Sequence, residues 1–315
     1  MSTITVKTAG GDYSDVQSAI NASANGDIIV VYAGTYTLSA DITFGGKTIV
    51  VKGEDPDTWA TVDTVIINGD ATYKINFKGG EGRGTVLEGI KITNCTTGIL
   101  IDTATGSPTI RKCHITANSG SGIKLSGAFA HYPLIRACKI DTNNMGVEVD
   151  NDAQEFYLIN CLITDNKIHG VYASANSVAG YTANCTIANN HGNGLYGFDH
   201  PVLKNCIIWG NYGFGADGDP SSVYSIVQDI ILSGSGNLCD DPLFTGASDY
   251  TLQAGSPALN AASDRSGDAT YAFDDDINGT TRPQKWAWDM GCYESASAPD
   301  NDEPPMTITW DVEFC

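Results

Sequence analysis

The phrase CHITANSGSGIKL (113–125) returns in four more copies: CKIDTNNMGVEV (138–149), CLITDNKIHGVYA (161–173), CTIANNHGNGLYG (185–197) and CIIWGNYGFGA (206–216). An earlier copy, IKITNCTTGILI (90–101), begins with Ile in place of Cys. All six share an isoleucine, with spacings of 23, 25, 23, 24 and 21 residues: Ile92, Ile115, Ile140, Ile163, Ile187 and Ile208. A self-similar period in the low twenties is typical of a solenoid.

The apolar residues within each copy alternate along the chain. Ile99 and Ile101, like Val147 and Val149, are separated by one residue that faces the other way, which is the period of a strand and not of a helix. Turns fall at Asn and Gly, which tolerate a positive φ. Each copy therefore predicts one coil of short strands, stacked about 4.8 Å from the next, so that residues in equal register form ladders.

Two further positions repeat in register: a cysteine that opens five copies, and an asparagine three places after the ladder isoleucine. The members are Cys113, Cys138, Cys161, Cys185 and Cys206, and Asn118, Asn143, Asn166, Asn190 and Asn211. Side chains in register on parallel strands point the same way, whereas a disulfide needs its Cβ atoms about 3.8 Å apart and suitably turned. We therefore predict that these cysteines are buried free thiols.

The repeat and its asparagine ladder resemble the right-handed parallel β-helix of the pectate-lyase-like superfamily. The opening at 3–37 and the closing stretches at 239–263 and 272–294 resemble the ends of such chains. The resemblance implies an all-β, single-domain right-handed parallel β-helix with an N-terminal helix cap and a C-terminal cap. It implies little about function, because this fold carries lyases, hydrolases, phage tailspikes, adhesins and scaffold proteins.

Four segments are predicted along the chain. Residues 1–47 form the N-terminal cap, whose short helix would begin with a capping box of Ser14 and Gln17. Residues 48–238 form the coils, and 239–294 form a C-terminal cap module. Residues 295–315 read as an acidic, Pro-rich linker ending in a strand that docks on a partner.

The formal net charge of −20 and a pI near 4.3 limit the partners of the protein. Binding to nucleic acid needs clusters of basic residues, so we expect none. The longest apolar runs have the length of strands, so we expect no membrane insertion. The chain opens without the basic and apolar regions of a signal peptide, and we expect a virion or extracellular protein that leaves its cell by another route, such as lysis.

One outward position of the second strand gives a stripe of candidate binding residues, spaced by 24, 24, 24, 24 and 21: Leu100, Lys124, Glu148, Tyr172, Tyr196 and Asp217. Tyrosine rings beside Lys and Glu would suit a glycan groove, because aromatic faces pack on sugar rings. The alternative is a solvated sheet face with a Lys124–Glu148 ion pair and a stacked Tyr172–Tyr196 pair.

Arg111 and Arg136 share a second register, two places before the ladder cysteine. Lyases of this fold need a cation for the uronate carboxylate, so the resemblance implies that the two arginines could bind an acidic sugar. The alternative is that they extend into solvent.

A hydrolase would need carboxylates that converge from adjacent coils; the candidates are Asp141, Asp150, Asp152 and Asp165. Asp141 and Asp165 fall one and two places after their ladder isoleucines and should point to opposite sides, so no catalytic cluster is predicted. The histidines occupy different registers and are expected at the surface or in turns: His114, His131, His169, His191 and His200.

Asp274, Asp276 and Asn278 match the first half of a calcium loop, but Lys285 stands where the closing Glu is required. Calcium completed by distant oxygens and a tight turn without metal are both open. No other cofactor is expected.

Two functions follow from these patterns. The first is a non-enzymatic phage virion component (decoration, fibre or spike) that binds glycans and joins other virion or surface proteins, or further copies of itself, through its C-terminal tail. The second is a polysaccharide lyase or glycoside hydrolase that acts at the stripe.

Overall fold

The computed structural model describes residues 1–102, 106–127, 132–150, 155–174, 179–198, 201–217, 220–230, 232–269, 271–284 and 286–296. The predicted docking strand of the tail lies outside the described residues, as do Asp152, His131, His200 and Lys285.

Within that part of the chain, the coils stack into three parallel sheets of ten, nine and seven strands, which confirms the predicted all-β parallel β-helix. Sheet A contains β1 (Thr3–Val6), β2 (Ile28–Val31), β5 (Val50–Gly53), β8 (Val86–Glu88), β11 (Thr109–Arg111), β14 (Leu134–Arg136), β17 (Glu155–Ile159), β20 (Ala179–Ala183), β23 (Val202–Lys204) and β25 (Ser221–Val223). Sheet B contains β3 (Gly34–Thr37), β6 (Val65–Asn68), β9 (Lys91–Thr93), β12 (His114–Thr116), β15 (Lys139–Asp141), β18 (Leu162–Thr164), β21 (Thr186–Ala188), β24 (Ile207–Trp209) and β26 (Ile226–Val227). Sheet C contains β4 (Ile42–Thr43), β7 (Ile75–Phe77), β10 (Ile99–Asp102), β13 (Ser121–Ser126), β16 (Met145–Val149), β19 (Val171–Ala173) and β22 (Leu195–Tyr196). Outside these sheets lie the helices α1 (Val16–Ala22) and α2 (Trp59–Val62) and the hairpin of β27 (Phe244–Gly246) and β28 (Asp249–Leu252).

The ladder isoleucines are direct neighbours in sheet B, as their spacing predicts. Each is fully buried, and with the inward residues of sheets A and C they form one core along the axis. Every apolar side chain in this core removes its surface from water, which stabilises the stack of coils.

The asparagine ladder closes the corner between sheets B and C. The Oδ1 atom of Asn166 accepts hydrogen bonds from the backbone N–H and the side-chain amide of Asn143, at 3.1 and 3.2 Å. The Nδ2 atom of Asn166 donates to the Ile140 carbonyl and to Asn190 Oδ1. A Cβ atom added to Gly146 would lie 2.9 Å from the Asn166 amide, which explains why glycine recurs after each ladder asparagine.

The ladder cysteines line the inside of the corner between sheets A and B. All five are buried and free, as predicted. Burial raises the pKa of the Cys206 thiol to about 12, and its Sγ donates to the Thr182 carbonyl. The Cys206 thiol therefore acts as a small core group and not as a nucleophile.

A second asparagine series, which the sequence analysis did not identify, faces away from the core at the A/B corner. Asn160, Asn184 and Asn205 directly precede ladder cysteines and have positive φ values. Their amides donate to the main chain of the C-terminal module, reaching the carbonyls of Asp275, Asp289 and Ser263 respectively. The module, predicted as a cap, is thus fixed against the side of several coils.

Apolar contacts hold the same module in place. Leu134, Ile159 and Ile207 of the coils pack with Leu259 and Trp288 of the module in a buried cluster outside the solenoid. The last coil is covered by a different segment, in which Asn237 bonds to the backbone and side chain of the final sheet A strand.

The N-terminal helix α1 buries Val16, Ala19 and Ile20. Its N-cap is Asp15, whose carboxylate accepts from the Ser18 N–H, so the predicted capping box of Ser14 and Gln17 was wrong. The Gln17 amide instead bonds to the main chain of Thr43. Strands β2, β3 and β4 already belong to the three sheets, so regular pairing begins before residue 47.

Candidate functional site

The predicted stripe lies on sheet C with the register that the spacing implies. Leu100 pairs with Lys124, Lys124 with Glu148, Glu148 with Tyr172, and Tyr172 with Tyr196. The stripe divides into a charged half and an aromatic half.

In the charged half, the Lys124 ammonium lies between two carboxylates. Its Nζ is 2.8 Å from Glu148 Oε1 and 3.2 Å from Asp150 Oδ1, and Ser121 donates to the second oxygen of Glu148. Burial alone would lower the pKa of Lys124, but the hydrogen bonds and charges of Glu148 and Asp150 outweigh it and raise that pKa. Lys124 is therefore a paired cation, as the solvated-face alternative expects.

In the aromatic half, the rings of Tyr172, Tyr196 and His169 are parallel. The two tyrosine centroids are 5.9 Å apart, and the His169 ring is 4.6 Å from that of Tyr196. His169 Nδ1 accepts from the Asn193 N–H at 3.0 Å, and burial lowers the pKa of His169. The imidazole is thus neutral near pH 7, and its proton lies on Nε2 because Nδ1 is the acceptor.

Three more rings extend this surface, although the sequence analysis did not select them. His191 stacks on Tyr212 at 4.9 Å, while Tyr212 and Phe214 are 76% and 67% exposed. We call the six side chains at this outer B/C position the aromatic corner: His169, Tyr172, His191, Tyr196, Tyr212 and Phe214. The signal was present in the sequence, because Tyr212 follows ladder residue Asn211 as His191 follows Asn190.

Arg111 and Arg136 are neighbours on sheet A, as predicted. Neither extends alone into solvent: Arg111 makes a two-pronged contact with Glu88 at 2.9 Å, and Arg136 binds Asp275 of the C-terminal module. Together with Lys112, which is paired to Asp57, they line a cavity of about 250 Å³. The cavity is lined by three cations and three carboxylates, so its formal net charge is zero.

The histidine at position 114 lies on the outer face of sheet B and is mostly buried, with 16% of its side chain exposed. Its Nδ1 lies 2.5 Å from Asp63 and its Nε2 lies 2.8 Å from Asp141. Burial would lower the pKa of His114, but the two carboxylates raise it. Both ring nitrogens are occupied, so this group joins the 54–63 insertion to the coils and has no free nitrogen for a substrate.

The remaining predicted carboxylate, Asp165, lies in the B/C turn and accepts from the Tyr250 hydroxyl at 3.2 Å. Asp141 and Asp165 therefore have separate partners, in line with the prediction that they diverge. Within the described ranges no group of three or more His, Cys, Asp or Glu side chains is arranged to hold a metal ion.

The predicted calcium loop is a turn in which Asp276 is fully engaged. One carboxylate oxygen accepts from the N–H groups of Asn278 and Thr280, and the other from the Glu294 N–H. Asn278 accepts from the Trp59 indole at 3.0 Å, and Asp274 is exposed. These hydrogen bonds are those of a tight turn. Calcium binding at this turn stays a prediction.

No helix in the described part of the chain combines the length and apolar character needed to cross a bilayer.

Comparison with known proteins agrees with this architecture. Pectate lyase Pel9A superimposes with a TM-score of 0.60 at 13% identity, over 93% of this chain and 96% of that one. ORF18 of Geobacillus virus E2 aligns at 13% identity with a TM-score of 0.43, over 75% of this chain and 59% of that one. The PL6 family alginate lyase AlyGC aligns at 11% identity with a TM-score of 0.43, over 74% of this chain and 39% of that one.

At these identities the likeness concerns the fold alone, and the two lower scores support no further comparison. No curated protein sequence matches the chain. A family model described as "Right handed beta helix region" matches residues 22–183, which is more than half of the 315 residues. By that match and by its three parallel sheets, the chain belongs to the right-handed β-helix family.

Proposed function

We propose that this protein is a non-enzymatic surface component, a decoration, fibre or spike protein of a phage virion, that binds a glycan at the aromatic corner. The observation that carries the proposal is the exposure of Tyr196 on one coil and of Tyr212 and Phe214 on the next. Contiguous exposed rings mark interaction sites, and sugar rings pack on aromatic faces.

Polar groups at the same corner suit hydroxyl-rich ligands. The His169 ring stacks on those of Tyr172 and Tyr196, which groups one imidazole N–H with two tyrosine hydroxyls. The Asn193 Oδ1 accepts from the Phe214 N–H at 3.2 Å, which fixes the amide close to Phe214. Rigid strands thus present apolar faces and a few oriented polar groups together, which is the composition of a specific ligand site.

The pairing of the charged candidates supports a binding function over catalysis. Among the described residues, Lys124, Arg111, Arg136 and His114 each contact at least one carboxylate. A lyase base must be free to accept a proton and a hydrolase acid must be free to give one, and these contacts occupy the groups that would do so.

Glycan binding is tested with the full chain on an array of bacterial surface polysaccharides and oligosaccharides. We expect bound glycan for the unmodified protein and a loss of about tenfold or more in affinity for Tyr212→Ala and for Phe214→Ala, equivalent to about 1.4 kcal/mol. Trp286→Ala is the matched control, because Trp286 is 55% exposed but lies in the C-terminal module. Absence of any glycan binding, or equal losses in the control, would refute the proposal.

The proposed assembly through residues 295–315 has a separate test. Light scattering behind size exclusion, on the full chain and on a 1–295 truncation, should give an assembly for the first and a monomer, somewhat lighter than the 33.2 kDa of one full chain, for the second. If both are monomeric, self-association through the tail is refuted.

A polysaccharide lyase is the second candidate function, favoured by the cavity that Arg111, Lys112 and Arg136 line. Cleavage of polygalacturonate or alginate, followed by the ultraviolet absorbance of the unsaturated product, would establish it. Arg111→Ala should then abolish cleavage, while Lys124→Ala and Tyr172→Ala test the stripe as the alternative site.

A further inference from the structure

We infer that the glycan bound at the aromatic corner is a neutral chain and not a polyuronate or another acidic polysaccharide. This inference rests on the proposed function and adds the chemical class of the ligand. It follows from the charges that surround the six rings.

Exposed carboxylates border the aromatic corner. Asp165 lies in the turn that leads to His169, Asp217 follows Ala216, which bridges to Leu195 next to Tyr196, and Asp229 lies in the turn of a later coil that corresponds to Asp165. The described cation closest in sequence to these rings is Lys167, which is also exposed. Three negative charges against one positive charge repel an anionic chain along the whole corner.

The other lysine of this face does not change the balance. Lys124 binds both Glu148 and Asp150, so the charged half of the stripe carries one further net negative charge. A uronate carboxylate that approached Lys124 would have to replace a contact already made at 2.8 Å. The arginines that could pair with such a carboxylate, Arg111 and Arg136, belong to sheet A and face a different side of the solenoid.

The donors at the corner are neutral. The Nδ1 atom of His169 accepts a hydrogen bond from the Asn193 N–H, so the neutral ring carries its proton on Nε2. The tyrosines contribute hydroxyl groups. Neutral donors recognise sugar hydroxyls and ring oxygens, whereas recognition of a carboxylate usually relies on Arg or Lys. The described residues of the corner supply neutral donors for sugar hydroxyls, and no unpaired arginine for a carboxylate is among them.

The test compares hexasaccharides of equal length on the full chain by titration calorimetry. The neutral probes are β-1,4-linked glucose, mannose and xylose, and the acidic probe is oligogalacturonate. We expect at least one neutral probe to bind, with an affinity that changes less than about twofold between 20 and 300 mM NaCl because no charges are paired. Oligogalacturonate should not bind measurably at 20 mM NaCl.

A charge variant sharpens the test. Asp229→Asn should leave the affinity for the neutral probe unchanged and raise the affinity for oligogalacturonate, because the replacement keeps the side-chain shape and removes one repelling charge. Asn also tolerates the positive φ of position 229.

The outcomes separate the two proposals. Tight binding of oligogalacturonate that Tyr212→Ala removes would overturn the neutral class while the proposed function stands. Failure of every probe, neutral and acidic, would count against both. Neutral binding that survives Tyr212→Ala and Phe214→Ala would place the ligand elsewhere and overturn the inference for this corner.

Discussion

The two corners that flank sheet B use the same bend and are completed differently. At each corner a residue with positive φ faces outward and the next residue points into the core: Asn160 then Cys161 at the A/B corner, and Asp165 then Asn166 at the B/C corner. The inward thiol bonds weakly to main-chain carbonyls, whereas the inward amide bonds to the coils on both sides. The B/C corner is thus stabilised from inside.

This difference determines what the outer surface does. At the A/B corner the outward asparagines and nearby apolar residues are covered by the C-terminal module. At the B/C corner the same module reaches the turn residues Asp165 and Asn189 through Tyr250, whereas Tyr212 and Phe214 remain exposed. The module thus contacts both corners, but the part of the B/C corner that carries Tyr212 and Phe214 keeps an exposed aromatic face for a ligand.

The largest effect is expected at the covered corner. Trp288→Ala should lower the free energy of unfolding by about 3–5 kcal/mol, because it empties a buried site where the indole contacts Phe273 and the Arg282 guanidinium. Urea denaturation followed by circular dichroism measures the loss. Trp286→Ala, at an exposed ring of the same module, should cost no more than about 0.5 kcal/mol. Equal losses would show that the module is not held by this contact.

The next effect distinguishes the two inward ladders. Asn166→Ala should cost about 2–4 kcal/mol, because it leaves the buried N–H groups of Asn143 without an acceptor. Cys161→Ala should cost only about 1 kcal/mol, the loss of one small buried group. Both values come from the midpoints of urea unfolding, and a thiol variant as damaging as the amide variant would contradict the comparison.

The stability contributed by the two corners should change with pH in opposite directions. Burial and the neighbouring Glu294 raise the pKa of Asp289, in the module, to about 7. The folded state therefore holds this proton more tightly than the unfolded state, and stability decreases as the pH rises from about 4 to 7. Burial lowers the pKa of His169, so its contribution is present above about 6.5 and is lost as the pH falls below that value.

Urea midpoints between pH 4 and 8 test these signs. When the pH falls, Asp289→Asn should gain less stability than the unmodified protein, and His169→Phe should lose less stability than the unmodified protein. The slopes with pH are compared, and not the absolute stabilities, because each variant also loses a hydrogen bond to a backbone N–H. Unchanged slopes in both variants would contradict the assignment.

The smallest effect on stability is expected at the open corner. Tyr212→Ala should change the free energy of unfolding by less than about 0.5 kcal/mol, because the ring is largely in water. A thermal melt of the variant beside the unmodified protein measures this. A large loss would mean that the ring supports the fold and would weaken its use as a binding residue.

The residues that could be predicted from sequence are those governed by the period of the coil. Counting alone placed Ile115 beside Ile140 and Lys124 beside Glu148, and it identified the thiols as unbridged. Contacts between a coil and a non-repeating segment carry no such signal. Asp63 reaches His114 from an insertion, and Asn160 binds Asp275, which is 115 residues away.

The candidate site was predicted in part for the same reason. Tyr172 and Tyr196 follow the regular spacing, whereas Tyr212 and Phe214 belong to the shortest repeat, where the copies are 21 residues apart and glycines surround the rings. Their exposure depends on how tightly the short turn closes, which a hydrophobic pattern does not report.

The lateral position of the C-terminal module fixes the length of the solenoid. Its bonds reach Trp59 through Asn278, Arg136 through Asp275, and Asn205 through Ser263. Insertion or deletion of a complete coil between these anchors would preserve every ladder, yet it would shift one anchor by a full coil relative to the others. The module therefore requires a set number of coils, and the protein is less free to change length than its repeats alone would allow.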